Sequence, residues 1–219
     1  MSTSSTNTPS ALNLHMTLAE GLTELELSLN EQTQTRLLQY LDLLEKWNRV
    51  YNLTAIRDKD QMVSNHLLDS LVLTPFVCGL RILDVGSGAG LPGIPLALAS
   101  PQLDVTLLDS NHKKAAFLRQ AVAELALPNV SVVSERVESW QPEQKFDCIV
   151  SRAFAELAEF VSLAKHLLAP GGYFAAMKGL HPYEELEKLP PGWRAREVLV
   201  LKVPGLDAAR HLVLIEAKQ

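Results

Sequence analysis

The sequence predicts an α/β fold: a mostly parallel sheet with helices on both faces, closed by an antiparallel hairpin and preceded by a helical extension. Three observations carry this. After Gly79, short apolar runs alternate with helical stretches, the pattern of strands joined by crossover helices. The first of those runs ends in a cluster of glycines. The last two runs are joined by Pro204 to Arg210 alone, too short for a crossover helix, so one of the two must run antiparallel.

The elements follow in order. Residues 1–15 read as a disordered tail, whose start, Met1 to Ser10, is polar and uncharged. It lacks a basic start with an apolar stretch behind it, so it does not read as a signal peptide. Residues 16–78 form the helical extension. Thr17 to Leu27 is a weak helix. Asn30 caps a stronger one running to about Arg49, with Leu37, Leu38, Leu41, Leu44 and Trp47 at helical spacing. A third covers roughly Asp60 to Leu73. Residues 79–219 form the α/β domain. Its expected strands are Arg81–Val85, Val105–Asp109, Val130–Val133, Asp147–Ser151, Tyr173–Met177, Glu197–Val203 and His211–Ala217, with helices at about 92–100, 111–126 and 155–168.

Composition excludes several classes. Among 219 residues the two cysteines, Cys78 and Cys148, make neither a disulfide framework nor a CxxC zinc pair, and a reducing cytoplasm fits. No apolar run is long enough to span a membrane. The formal charge is -5, so bulk charge does not announce a nucleic-acid partner. Residues 1–80 carry 5 basic and 9 acidic side chains, and the rest 15 and 16. Any contact with nucleic acid needs a local patch.

The sharpest motif is Asp84-Val85-Gly86-Ser87-Gly88-Ala89-Gly90-Leu91-Pro92-Gly93. Glycines between a strand and a helix let a ligand approach the backbone, and this turn lies at the carboxyl ends of the strands, where ligands bind. Two ligand classes use such a turn. For a dinucleotide, GxGxxG counted from Gly86 places the third glycine at Leu91, and the frame fits only from Gly88, two residues late. S-adenosylmethionine carries no phosphate but an ammonium and a sulfonium. Asp84 then serves as a counter-charge, whereas it would repel a pyrophosphate. Asp109 can accept ribose hydroxyl bonds for either ligand, or cap the next helix. Val137 and Glu138 lie where a loop after the third strand would touch adenine. Glu138 is otherwise a solvated acid. A sheet closed by an antiparallel hairpin favours a methyltransferase over a dehydrogenase.

Several segments together resemble the bacterial rRNA small-subunit methyltransferase G family, also called glucose-inhibited division protein B. They are Lys46-Trp47-Asn48, Tyr51-Asn52-Leu53-Thr54, His66 to Leu71, Asp84 to Pro95, Leu107 to Ser110, Ser151 to Ala155, Lys178-Gly179 and Arg210 to Val213. The likeness runs from about Gln39 to the C-terminus. It implies a class I S-adenosylmethionine-dependent methyltransferase fold with an N-terminal helical extension. It also implies methylation of N7 of a guanine, guanine 527, in the 530 loop of 16S rRNA, on a substrate within the small ribosomal subunit. By this likeness Gly86, Leu91, Val137, Glu138 and Arg152 match cofactor positions. Asn65 stands before His66 where the family often has arginine.

The residues agree with that chemistry. After the fourth strand the chain reads Ser151-Arg152-Ala153-Phe154, not the Pro-Pro-aromatic signature of amine methylation. Cys148 falls inside a strand and Cys78 before the first, so neither is placed as a nucleophile for cytosine carbon. Guanine N7 has an in-plane lone pair and no proton to lose, so alignment suffices. Arg152 serves either the cofactor's carboxylate or the RNA. A bidentate grip on guanine O6 and N7 would block the acceptor, so only O6 is open to it. His66 and Asp69, three apart on one helix face, shape the pocket mouth or bond to each other. Lys178 and Arg210 are candidates for phosphate contact. Phe154 packs in the core or stacks on a base, and Lys113, Lys114 and Arg119 form a solvated face. No metal set is expected. The rival readings are a non-catalytic RNA-binding assembly factor and an NAD-dependent oxidoreductase.

Overall fold

The structure is a computed structural model of the chain. It describes residues 11–77, 81–152, 154 and 156–218. Cys78 and residues 1–10 of the expected tail lie outside the described residues.

The extension begins earlier than its sequence suggests. Helix α1 spans Ala11–Glu24, so residues 11–15, expected in the tail, are helical. Its inward ridge is Leu14, Leu18 and Leu22, one residue per turn, too sparse a stripe to mark the helix by periodicity. Helix α2 spans Glu31–Tyr51. The Asn30 side chain accepts from the Thr33 N–H at 2.8 Å, satisfying one of the open donors of the first turn. Leu37, Leu41 and Leu44 are fully buried, each worth about 1.5–3 kcal/mol relative to exposure. Helix α3 spans Lys59–Met62. It continues into a π-helical turn over Val63–Leu68 and ends in α4, Asp69–Leu71.

Seven strands make one sheet in the order β3-β2-β1-β4-β5-β7-β6. They are β1 Arg81–Val85, β2 Asp104–Leu108, β3 Val130–Val133, β4 Phe146–Ser151, β5 Leu168–Lys178, β6 Trp193–Leu201 and β7 Arg210–Ala217. β1 to β5 pair in parallel, and β7 is antiparallel to both β5 and β6, as the short last connection requires. The crossover helices are α5 Gly93–Ala99, α6 His112–Glu124 and α7 Leu157–Ala164. A short helix, α8 Tyr183–Glu187, was not evident in the sequence.

The sheet separates two cores. On one face α2 and the extension pack with α5 and α6 around Leu37, Leu41 and Phe117. On the other, α7 packs around Phe146, Phe160 and Phe174. The period of two along a strand assigns each β1 side chain: Ile82 enters the first core, Leu83 and Val85 the second. Asp84, between them, is therefore turned toward the α5 face. The extension grips the cofactor half directly. Arg36 of α2 donates to the Leu125 carbonyl beyond α6, and Trp47 packs on Phe117 with ring centroids 5.7 Å apart. Among the described residues, no helix is long and apolar enough to cross a membrane.

Candidate active site

The turn after β1 is held from four sides. The N–H groups of Gly86 and Ser87 donate to the Leu108 carbonyl at 2.8 and 3.2 Å. The Gly88 N–H donates to Asp109 Oδ2 at 2.8 Å. The Gly93 N–H donates to Asp84 Oδ2 at 3.0 Å, and the Tyr40 hydroxyl donates to the Ala89 carbonyl at 2.6 Å. Two glycines have different reasons to be there. Gly88 has φ +56°, and a Cβ on it would find only the Gly86 carbonyl, at 3.7 Å; conformation and open approach, not crowding, demand it. At Gly93 a Cβ would lie 2.2 Å from Leu107 Cδ2 and 2.9 Å from Asp84 Oδ2, so packing demands that one.

Beside this turn lies a cavity of about 400 Å³ whose lining includes Gly86, Asp109, Val137, Glu138 and Phe154. The residues fit S-adenosylmethionine. Each Asp109 oxygen accepts one backbone N–H, from Gly88 or from Asn111, leaving a lone pair on each for a ribose hydroxyl. Asp109 is not the cap of α6, because Asn111 takes that role, accepting from Lys113 and Lys114. Val137 and Glu138 line the same cavity, and would offer an adenine an apolar surface and a hydrogen-bond acceptor. Phe154 lines this cavity and stacks on Phe160 with centroids 5.0 Å apart, which settles it as packing.

Two expected cofactor residues are not in the lining of this cavity. Leu91 is buried in the first core and does not line the cavity. Asp84 is fully buried, turned to the α5 face by strand alternation. One of its oxygens locks the turn, and Oδ1 has no hydrogen-bond partner among the described residues. Its charge reaches a cationic ligand only as a field across the turn. Burial pushes its carboxyl up to about 7.

A second cavity, about 250 Å³, is lined by Asp69, Arg152, Met177, Lys178, Gly179 and Arg210. Asp69 is 1% exposed and stands between two guanidiniums. Arg152 Nη2 lies 3.1 Å from Asp69 Oδ2, and Arg210 Nε donates to Oδ1 at 2.9 Å. Lys178 Nζ pairs with Glu185 of α8 at 2.7 Å. The lining holds three cations and one carboxylate, and with Glu185 pairing Lys178 this end of the sheet keeps a local excess of one positive charge that the net charge hides. The structure thus joins the expected catalytic Arg152 and Asp69 to the expected RNA-contacting Lys178 and Arg210.

His66 does not line either cavity. It is 4% exposed, with Nε2 3.0 Å from Thr54 Oγ1 and Nδ1 3.0 Å from the Asn65 carbonyl. Burial lowers its pKa to about 4, which favours the neutral imidazole. The π-helical turn is the reason it lines neither cavity. Its wider winding takes His66 and Asp69, three apart, off a shared face. Cys148 is also buried, and its thiol is pushed up to about 12.

Sequence reasoning missed Tyr40 and Glu185. Tyr40 lies beside Leu41 in the apolar run of α2, and a buried tyrosine needs a partner for its hydroxyl; that was the available signal. Glu185 lies in an unremarkable acidic run. Among the described residues there is no group of three His, Cys, Asp or Glu that could hold a metal.

A sequence profile of the rRNA small subunit methyltransferase G family matches residues 33–213. The ribosomal RNA small subunit methyltransferase G of Laribacter hongkongensis is 59% identical over 202 residues, covering 92% of this chain and 98% of that protein. That of Chromobacterium violaceum is 61% identical over 197 residues, covering 90% and 94%. An S-adenosylmethionine-dependent methyltransferase from Thiobacillus denitrificans, solved with S-adenosyl-L-homocysteine, superposes with a TM-score of 0.52 at 13% identity over 81% of this chain and 97% of that one, a likeness of fold. The chain belongs to the rRNA small subunit methyltransferase G family and has the class I fold of S-adenosylmethionine-dependent methyltransferases.

Proposed function

We propose that the chain methylates N7 of guanine 527 in the 530 loop of 16S rRNA, in the cytoplasm, on rRNA within the small ribosomal subunit. The observation that carries this reading is the state of Asp69. It is the one carboxylate in the lining of the polar cavity, and it is held by two guanidiniums. Both of its oxygens face guanidiniums, so it is not placed to take a proton from a substrate. Guanine N7 needs no base, because it attacks through a lone pair and loses no proton.

S-adenosylmethionine, when bound, supplies a methyl group on a sulfonium, which becomes a neutral thioether as N7 takes the methyl and its positive charge. The chain contributes placement. Asp69 fixes the guanidiniums of Arg152 and Arg210. Arg152 Nη1 is buried with no hydrogen-bond partner among the described residues, and a single N–H from it to guanine O6 would orient the base while leaving N7 open. Lys178 and Arg210 supply charge for the flanking phosphates. Nuclease mapping with mass spectrometry, on rRNA treated with the protein and S-adenosylmethionine, tests the reading. A single methyl on guanine 527 that is lost from cells lacking the protein is expected. A methyl on any other atom or nucleotide would replace it.

A further inference from the structure

An aromatic stack follows, along the chain, the residues that line the polar cavity. Tyr183 is 71% exposed and Leu180 80%. The Tyr183 ring stacks on His181, with centroids 3.8 Å apart and planes 27° off parallel. His181 in turn meets the His211 ring edge-on at 5.4 Å. His211 is anchored: its Nδ1 lies 3.1 Å from the Gly179 carbonyl, and it pairs across the sheet with Lys178. The stack therefore rests on β5 and β7, and Gly179, Lys178 and Arg210, which line the cavity, are its immediate neighbours in sequence.

We propose that Tyr183, backed by His181, is a stacking platform for an unpaired base of the RNA substrate, next to the guanine that enters the cavity. This rests on the function proposed above and adds a subsite to it. Burying a tyrosine ring is favourable, so leaving one largely in solvent beside a cationic pocket calls for a partner with both a flat π-face and negative charge. An unstacked nucleotide has both. RNA read at single-stranded loops is held in this way, with bases on aromatic rings and phosphates on nearby cations. His181 covers one face of the Tyr183 ring and fixes its plane, so little freedom remains to be lost when a base lands on the other.

The test uses the full chain. Tyr183→Ala and Tyr183→Phe are compared with wild type in methylation of small-subunit rRNA. In parallel, each binds a short single-stranded RNA carrying 2-aminopurine beside the target guanine, whose fluorescence falls when it stacks. Tyr183→Ala is expected to raise the KM for RNA about tenfold, leave kcat within about twofold, leave S-adenosylmethionine affinity unchanged and abolish the quench. Tyr183→Phe is expected to restore both KM and quench, since stacking needs the ring and not the hydroxyl. An unchanged KM and quench in the alanine variant overturns the platform, as does a phenylalanine variant as weak as alanine. The quench is read without methyl transfer. A wild-type chain that quenches but methylates no rRNA therefore overturns the functional reading and supports the platform.

Discussion

The hydroxyl of Tyr40, in the N-terminal extension, donates to the carbonyl oxygen of Ala89, in the glycine turn after β1, at 2.6 Å. Tyr40 is fully buried, and burial holds its phenol far above its ordinary pKa, so the donor is present at any working pH. The extension therefore braces the glycine turn after β1. Tyr40→Phe leaves a buried carbonyl without its donor, which costs about 1–3 kcal/mol. A lower thermal midpoint is expected together with weaker S-adenosylmethionine binding, by up to about tenfold, measured by melting and by calorimetry. A lowered midpoint with unchanged affinity would confine the bond to structure.

The turn offers a sharper test. Gly86 has φ +70° and lines the cofactor cavity. Gly86→Val is expected to abolish S-adenosylmethionine binding in a folded protein, through strain and lost access together. Gly171 is the control. It has φ +80° with nothing within 4 Å of its Cβ position, and it lies on the opposite side of the domain, at the start of β5. Gly171→Ala should cost stability and leave cofactor affinity alone. Equal loss of binding in both variants would trace the effect to strain alone.

What was legible in the sequence follows from where side chains face. β1 and β4 are buried on both sides and read as continuous apolar runs, so their ends were placed within a residue or so. β6 was expected to begin at Glu197, but it starts at Trp193. Its first residues alternate, with Trp193 and Ala195 packed on the second core, but an irregularity between Ala195 and Glu197 breaks the alternation, so the strand does not read as one continuous pattern. The cofactor cavity was legible because its turn and acids are local in sequence. The polar cavity was legible only as separate residues. Asp69 and Arg210 are 141 positions apart, and no local pattern announces that pair. The π-helical turn left no periodic trace either, which is why His66 was grouped with Asp69.

Asp84 and His66 bias stability in opposite senses. Burial raises the Asp84 carboxyl to about 7. Between about pH 4 and 7 the folded chain thus keeps a proton that the unfolded chain has lost, and stability falls as pH rises. Burial lowers His66 to about 4. Between about pH 4 and 6.5 the unfolded chain takes up a proton that the folded chain refuses, and stability falls as pH falls. Each slope is at most about 1.4 kcal/mol per pH unit, and they oppose across most of the window. Asp84→Asn removes one of them. Urea unfolding of variant and wild type should show the variant gaining relative stability as pH rises from about 4 to 7 and levelling beyond. A difference independent of pH would show Asp84 ionised throughout.

Arg152 and Cys148 separate the possible acceptors. Arg152 directly follows β4 and pairs with the buried Asp69 at 3.1 Å, and its Nη1 is unsatisfied among the described residues. On the proposed role, Arg152→Ala removes one charged hydrogen bond to the substrate guanine, worth about 1.5–3 kcal/mol, or roughly ten- to a hundredfold in rate or affinity. Arg152→Lys keeps the charge and loses the planar fork, so it should recover only part of the loss. Cys148 lies within β4, fully buried, with its thiol held protonated by burial. It is no nucleophile where it stands. Cys148→Ser buries a hydroxyl, which lowers stability by about 1–3 kcal/mol if it finds no partner, and leaves the chemistry intact. Single-turnover methylation of small-subunit rRNA, with circular dichroism to confirm folding, should rank wild type and Cys148→Ser together, Arg152→Lys below them and Arg152→Ala lowest. The reverse ranking, a dead serine variant beside an active alanine variant, would mean a covalent intermediate through sulfur. The acceptor would then be a pyrimidine carbon, and guanine N7 would be the wrong atom.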